Sequence, residues 1–228
     1  MNIAILDAGK PPARLIERFG TYADMFVRLL GPDAVAATYD VTRQQFPEQP
    51  TAHGAYLITG SPAGVCEPLP WIGPLKDFLR AAKGRAKLVG ICFGHQIMAE
   101  AFGGRVQRSD KGWGVGLQHY RIREREPWMD DAERVALPVS HQDQVVEQPP
   151  HTTLIAANSF CEIGGLAYRD QPAMSFQFHP EFEPEFAAAL IELMRDRVAT
   201  PDAAIASLQA PNDRERLARW IKSFVQYG

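Results

Sequence analysis

The chain has 228 residues, with 24 Lys plus Arg against 27 Asp plus Glu and a formal net charge of −3; that length suits one α/β domain whose core needs no staples. The near-even charge gives no electrostatic reason to expect nucleic acid, and no stretch approaches a membrane span. Three cysteines without a C-x-x-C pair fit a reducing compartment rather than a disulfide frame, and the N-terminus runs straight into a strand rather than a signal peptide, so a cytoplasmic location is expected.

Asn2 to Asp7 reads as a strand, with Asp7 to Pro12 a loop at its carboxyl end. Arg14 to Leu30 gains helical character in its later part, where Tyr22, Phe26, Leu29 and Leu30 form an apolar face that Gly31-Pro32 stops. Val35 to Val41 and Ala55 to Thr59 are the next strands. Gly60-Ser61-Pro62-Ala63-Gly64 has the composition of an ordinary turn, but its place between a buried strand and the Trp71 to Ala82 helix makes it a candidate oxyanion element. Strands separated by helix-length segments predict an open, mainly parallel sheet, which binds ligands at the carboxyl ends of its strands.

Ala86 to Gly104 reads as strand, sharp turn and helix. Leu88, Val89 and Ile91 form an apolar run suited to a strand buried on both faces. His95 to Phe102 then takes helical spacing, and Gly103-Gly104 ends it. Between them, Gly90 and Gly94 flank Cys92 at two residues' distance and permit the tight backbone of a strand-to-helix elbow. A lone cysteine at the end of a buried strand is usually a small core hydrophobe. At an elbow, however, unpaired N–H groups and the helix dipole favour the thiolate, which makes Cys92 a candidate nucleophile. His95 in the first helical turn could reach the site or pack.

After Gly104 the pattern changes to short alternating segments, at 106–107, 116–123, 134–139, 144–147, 153–157 and 165–168, which read as antiparallel strands and hairpins. Lys111 to Gly116 is expected to be a turn or loop near the site mouth, and Arg123 to Asp131 a solvated loop. His119 and His151 read as surface or structural, and Cys66 and Cys161 as unreactive. No H-x-x-x-H or comparable cluster exists among the six histidines, so neither a metal nor a cofactor is expected.

Ala173 to Phe182 alternates Met174, Phe176 and Phe178 with Ser175, Gln177 and His179, and reads as a strand carrying His179 at its carboxyl end. Pro180 holds His179 extended, so that His179 and Glu181 share a face, as a base and its orienting carboxylate would. Pro184 to Arg197 reads as a helix and Ala203 to Leu208 as a shorter one. Asp213 to Val225 places Leu217, Trp220, Ile221 and Phe224 at helical spacing. The whole chain, 1–228, is read as one domain with a helical extension over 200–228. That extension either covers the domain's own core or docks a partner or second copy.

Gly90-Ile91-Cys92-Phe93-Gly94-His95-Gln96 together with Phe178-His179-Pro180-Glu181 resembles the class I, triad-type glutamine amidotransferase domain, with its G-x-C-x-G-x-Q and H-P-E motifs in order. The resemblance spans roughly residues 3 to 197 and is thinnest from Arg121 to Pro138. It implies a flavodoxin-like fold, Cys92 as nucleophile, His179 as general base and acid, Glu181 as its orienting partner, and Gln96 as a contact to the substrate. It also implies an oxyanion hole from the N–H groups of Gly60 and Phe93. Ser140-His141-Gln142-Asp143 is similar to the Ser-His-Gly-Asp segment of GMP synthase glutaminase domains, which would place Ser140 and His141 at the substrate, although Gln142 replaces the glycine.

The expected reaction is cleavage of a γ-glutamyl amide, in glutamine or a γ-glutamyl peptide, through a γ-glutamyl thioester. No ATP-binding loop or acceptor domain accompanies the motifs, so the chain resembles free-standing γ-glutamyl peptidases somewhat more than a glutaminase subunit feeding ammonia to a separate synthetase. A catalytically silent ligand-binding or regulatory domain is the non-enzymatic alternative. An α/β-hydrolase with a G-x-C-x-G elbow fits less well, because its acid precedes its histidine in the chain, whereas Glu181 follows His179.

Overall fold

The computed structural model describes residues 2–228. Its parallel half alternates strand and helix: β1 (Ile3–Asp7), α1 (Ala13–Phe19), α2 (Tyr22–Leu30), β2 (Val35–Asp40), β3 (Ala55–Ile58), α3 (Ile72–Ala82), β4 (Lys87–Ile91) and α4 (Phe93–Ala101). The antiparallel part follows as β5 (Arg105–Arg108), β6 (Gly114–Ile122), β7 (Arg134–His141), β8 (Asp143–Glu147), β9 (Thr152–Ala157) and β10 (Gly165–Tyr168). The chain then returns to the parallel half through β11 (Ala173–Phe176) and ends in α5 (Pro184–Leu193), α6 (Pro201–Ser207) and α7 (Arg214–Tyr227).

The nine-stranded sheet runs β2-β1-β3-β4-β11-β10-β9-β6-β7. Strands β2, β1, β3, β4 and β11 are mutually parallel, and from β11 outward each pairing is antiparallel. β5 and β8 pair as a separate ribbon. This is the expected mainly parallel α/β sheet, flanked by helices and carrying an antiparallel extension.

Strands β1, β3 and β4 are buried on both faces, and alternation sorts their side chains between two cores. Ile3, Ile5, Leu57, Val89 and Phe176 pack with Phe26 of α2 and with Leu217, Trp220, Ile221 and Phe224 of α7. Ala4, Leu6, Tyr56, Ile58 and Leu88 pack with Leu75 and Leu79 of α3 and with Ile97 and Met98 of α4. α7 thus packs over one of these two cores. Burying each large apolar side chain of α7 contributes on the order of 1.5–3 kcal/mol.

The helix expected in the later part of Arg14 to Leu30 is α2, which Thr21 starts with a reciprocal capping box to Asp24; α1 precedes it and ends at Gly20, whose φ is 78°. Two expectations are corrected. The 123–131 loop is not simply solvated. Trp128 is buried against Phe176, Trp220 and Phe224, while Glu126, also buried, is held by Arg169 at 2.7 Å. The strand over 173–182 ends at Phe176, and Gln177 to Phe182 leaves the sheet as a turn.

Candidate active site

Cys92 sits between the last residue of β4 and the first of α4 with φ 51° and ψ −101°, a conformation that L-residues seldom adopt. Strain of this kind costs on the order of 1–3 kcal/mol and persists only where the surroundings enforce it. Here the backbone on either side is packed too closely for any side chain at the two flanking glycines. A Cβ on Gly90 would stand 2.5 Å from Gly94 O, and one on Gly94 would collide with Ile58 O. The N–H of Cys92 donates to Phe176 O at 2.8 Å and that of Gly94 to Thr59 O at 3.1 Å, which ties the elbow to both neighbouring strands.

Because β4 and β11 run parallel with Ile91 opposite Phe176, the segment leaving β11 passes beside the elbow. His179 is 3% exposed and Glu181 1%. The His179 Nδ1 lies 2.7 Å from Glu181 Oε1; a carboxylate there accepts, so Nδ1 carries the hydrogen and Nε2 is left for Cys92. The pair thus meets across a turn rather than along an extended strand. Phe182 stacks on the imidazole with ring centroids 3.8 Å apart and fixes its plane. Burial alone would lower the His179 pKa, but Glu181 and the Cys92 sulfur together outweigh it and raise it well above the ordinary value.

Gly60 closes the site from β3. A Cβ at Gly60 would stand 2.8 Å from His179 Cε1 and 3.8 Å from Cys92 Cβ, so only glycine leaves the space between them open. The N–H groups of Thr59 and Gly94 are spent on Leu6 O and Thr59 O, whereas those of Gly60 and Phe93 have no partner among the described residues. The Thr59 hydroxyl accepts from Ala8 N–H at 2.9 Å and lies 2.9 Å from Gly60 O, bracing the loop from behind.

The remaining sequence-derived residues surround this centre. The buried Gln96 amide nitrogen donates to Asp143 O at 2.8 Å and Gln177 Oε1 at 3.2 Å, leaving its oxygen as the atom with capacity for a ligand. Ser140 and His141 end β7, facing Val115 and Gly114 of β6. The His141 Nδ1 donates to Asp143 O at 3.2 Å, its Nε2 has no partner, and burial together with the nearby His179 pushes its pKa down to about 3. His95 packs away from the site, between Ser175 Oγ at 2.8 Å and Ile163 O at 3.0 Å. Lys111 joins the rim of β6 to the Ser159 carbonyl. Among the described residues, no cluster of three or more His, Cys, Asp or Glu could hold a metal.

Two polar residues escaped sequence reasoning. Gln177, fully buried, donates its amide to Cys92 Sγ at 3.5 Å while accepting from Gln96. Its signal was present: an amide between Phe176 and Phe178 must have a buried partner. Asp7 ends β1 on the same sheet edge, and burial, with repulsion from Asp40, raises its pKa to about 6. Nothing in the local sequence marks it.

A strained cysteine elbow, a buried His-Glu pair and a glycine loop thus meet at one carboxyl edge of an α/β sheet. The sequence model for glutamine amidotransferase class-I matches residues 33–192, and the chain belongs to that family. A glutamine amidotransferase-like protein of Schizosaccharomyces pombe is 30% identical over 98% of each chain. Gamma-glutamyl peptidase 3 of Arabidopsis thaliana is 29% identical over 91% of this chain and 90% of its own. A glutamine-hydrolysing GMP synthase subunit of Methanopyrus kandleri is 32% identical over 49% of this chain and 60% of its own. The crystal structure of a glutamine amidotransferase from Thermotoga maritima superposes with a TM-score of 0.78, 18% identity and coverage of 99% and 98%. Among the described residues no helix is long and apolar enough to cross a membrane.

Proposed function

We propose that the protein hydrolyses a γ-glutamyl amide with Cys92 as nucleophile. The single observation that carries this reading is the placement of the His179 imidazole between Glu181 Oε1 at 2.7 Å and the strained Cys92 elbow, beneath the Gly60 loop. The Cys92 thiolate attacks the side-chain carbonyl carbon of the γ-glutamyl group, and the N–H groups of Gly60 and Phe93 hold the oxyanion. His179, protonated and steadied by Glu181, gives its proton to the leaving nitrogen, and the amine departs. A water then gives its proton to His179 and attacks the thioester, releasing the γ-glutamyl acid and the thiolate. Gln96 contacts the substrate beside Ser140 and His141, and Gln177 supports the sulfur. No cofactor takes part.

The free-standing γ-glutamyl peptidase reading is favoured by full-length similarity to a γ-glutamyl peptidase. Similarity to the GMP synthase glutaminase chain favours a second reading, in which ammonia from glutamine passes to a separate synthetase. Either activity fits a cytoplasmic setting, with the three cysteines unpaired. The test is turnover of glutamine and of γ-glutamyl dipeptides by wild type and Cys92→Ala. Hydrolysis is expected from wild type and none from a folded Cys92→Ala protein. Undiminished turnover in that variant would remove Cys92 from the reaction, and a folded wild type inert to both substrates favours the silent binding domain.

A further inference from the structure

Residues 177–182 carry the imidazole and its carboxylate without belonging to a strand or helix, so no ladder fixes their backbone. Its polar groups find partners singly. Gln177 N–H donates to Gly164 O at 3.0 Å, His179 N–H to Pro138 O of β7 at 2.9 Å, and Phe182 N–H to His179 O at 3.4 Å. The two carbonyls in the middle are met from the C-terminal extension. Arg214, the first residue of α7, donates from Nε to Pro180 O at 2.9 Å and from Nη2 to Glu181 O at 3.5 Å.

The clamp has its own anchor. Asp213 N–H donates to Ala136 O of β7 at 2.9 Å, and Ala136 N–H to Asp213 Oδ2 at 2.8 Å, so Arg214 is held to the same strand that receives His179 N–H. The arm needs this support. Glu181 Oε1 is engaged by His179, but Oε2, buried, has no partner, and the direction of the carboxylate is therefore set by the backbone that carries it.

We propose that Arg214 is a positioning residue for the site, holding the His179-Pro180-Glu181 backbone so that the imidazole stays in line with Cys92, and that the 200–228 extension is for this reason part of the working machinery. This rests on the triad reading given above. The guanidinium suits the task because its planar fork meets two successive carbonyls, which a single ammonium cannot match. It also sets a half-buried cation close to Glu181. Burial pulls the Arg214 pKa down, against the carboxylates of Glu183, Glu181, Glu215 and Glu185. The other titratable groups turned toward the His-Glu pair are Cys92 from the elbow, His141 from β7 and Tyr22 from α2.

The experiment is alkylation of wild type, Arg214→Ala and Arg214→Lys by iodoacetamide from acid to alkaline pH, followed at Cys92 by peptide mapping. Cys66, which is exposed, serves as the reference thiol in the same tube. Wild-type Cys92 is expected to react faster than Cys66 at neutral pH, because His179 stands beside it to take its proton. Arg214→Ala should slow Cys92 at neutral pH about tenfold or more, the scale of losing a hydrogen bond from a charged donor. Its rate should move toward that of Cys66, and dilute guanidinium should restore it. Arg214→Lys should fall between the two, and it carries the test if Arg214→Ala does not fold. A folded Arg214→Ala protein with the wild-type rate and profile would overturn the proposal. So would a loss that follows the thermal midpoint and resists guanidinium rescue. If wild-type Cys92 reacts no faster than Cys66 at neutral pH, the triad reading itself fails, whatever Arg214 does.

Discussion

His95 lies one turn into α4, fully buried, three residues from the proposed nucleophile. Ile163 O can only accept, so the imidazole carries its hydrogen on Nε2, and the bare Nδ1 accepts from the Ser175 hydroxyl. Burial holds its pKa down at about 4 against an ordinary 6.5, with the Ile163 hydrogen bond acting weakly the other way. The sign follows from linkage. The unfolded chain takes up a proton near pH 6.5 and the folded chain only near 4, so stability present above 6.5 is lost as pH falls through that window. For this one residue the loss from pH 7 is about 2 kcal/mol at pH 5 and about 3 kcal/mol at pH 4. Asp7 acts in the opposite sense: raised to about 6 from 3.8 by burial, it stabilises the folded chain as pH falls between those values. Replacing His95 with an uncharged amide separates the two effects. His95→Gln should cost about 1–2 kcal/mol at pH 7 through imperfect hydrogen bonds, yet its deficit should shrink and reverse by pH 4. Urea unfolding of both proteins at pH 7, 6, 5 and 4 reads this directly. Parallel stability curves would mean that the buried, neutral His95 does not set this pH dependence.

Two further substitutions probe the site. Gly60→Ala puts a methyl group 2.8 Å from His179 Cε1; turnover should fall at least a hundredfold with little change in unfolding midpoint, and an active Gly60→Ala enzyme would mean that the loop does not close on the imidazole. Glu181→Gln keeps the shape but loses the buried carboxylate that raises the His179 pKa. In the folded enzyme the imidazolium that Glu181 favours persists until pH nears its raised value, whereas in the variant it is lost closer to the ordinary 6.5, so this variant should lose activity most steeply on the alkaline side. Wild-type rates and an unmoved pH–rate profile would remove Glu181 from the site.

The elbow was legible because its constraint is local. Two glycines around Cys92 and a switch from strand to helix spacing have one geometrical solution, and Gly90 and Gly94 indeed approach backbone too closely for a side chain. The parallel core was legible from apolar strands at helix-length intervals. What sequence pattern obscured was set by distant partners. Alternation ran on past Phe176, but the sheet stops there because β11 has no further neighbour to pair with beyond Ile91 of β4 and Gly165 of β10. The 123–131 segment carried charge, yet Trp128 is drawn under α7 by aromatic neighbours nearly a hundred residues away. In Arg14 to Leu30 the apolar face of α2 was legible, whereas the short α1 before Gly20 buries only Leu15 and Phe19 and carried too little pattern to be read. The likeness of the whole chain to a class-I glutamine amidotransferase rested on two short motifs, and those motifs are the parts of the site that meet in space.

The most direct test of the central claim is labelling by 6-diazo-5-oxo-norleucine, a glutamine-like electrophile, with intact mass and peptide mapping. One adduct is expected, on Cys92 and not on Cys66 or Cys161, prevented by glutamine or a γ-glutamyl peptide. The better protector separates glutaminase from peptidase. An adduct on Cys66, or labelling of Cys92 that neither competitor slows, would contradict a γ-glutamyl pocket at this elbow.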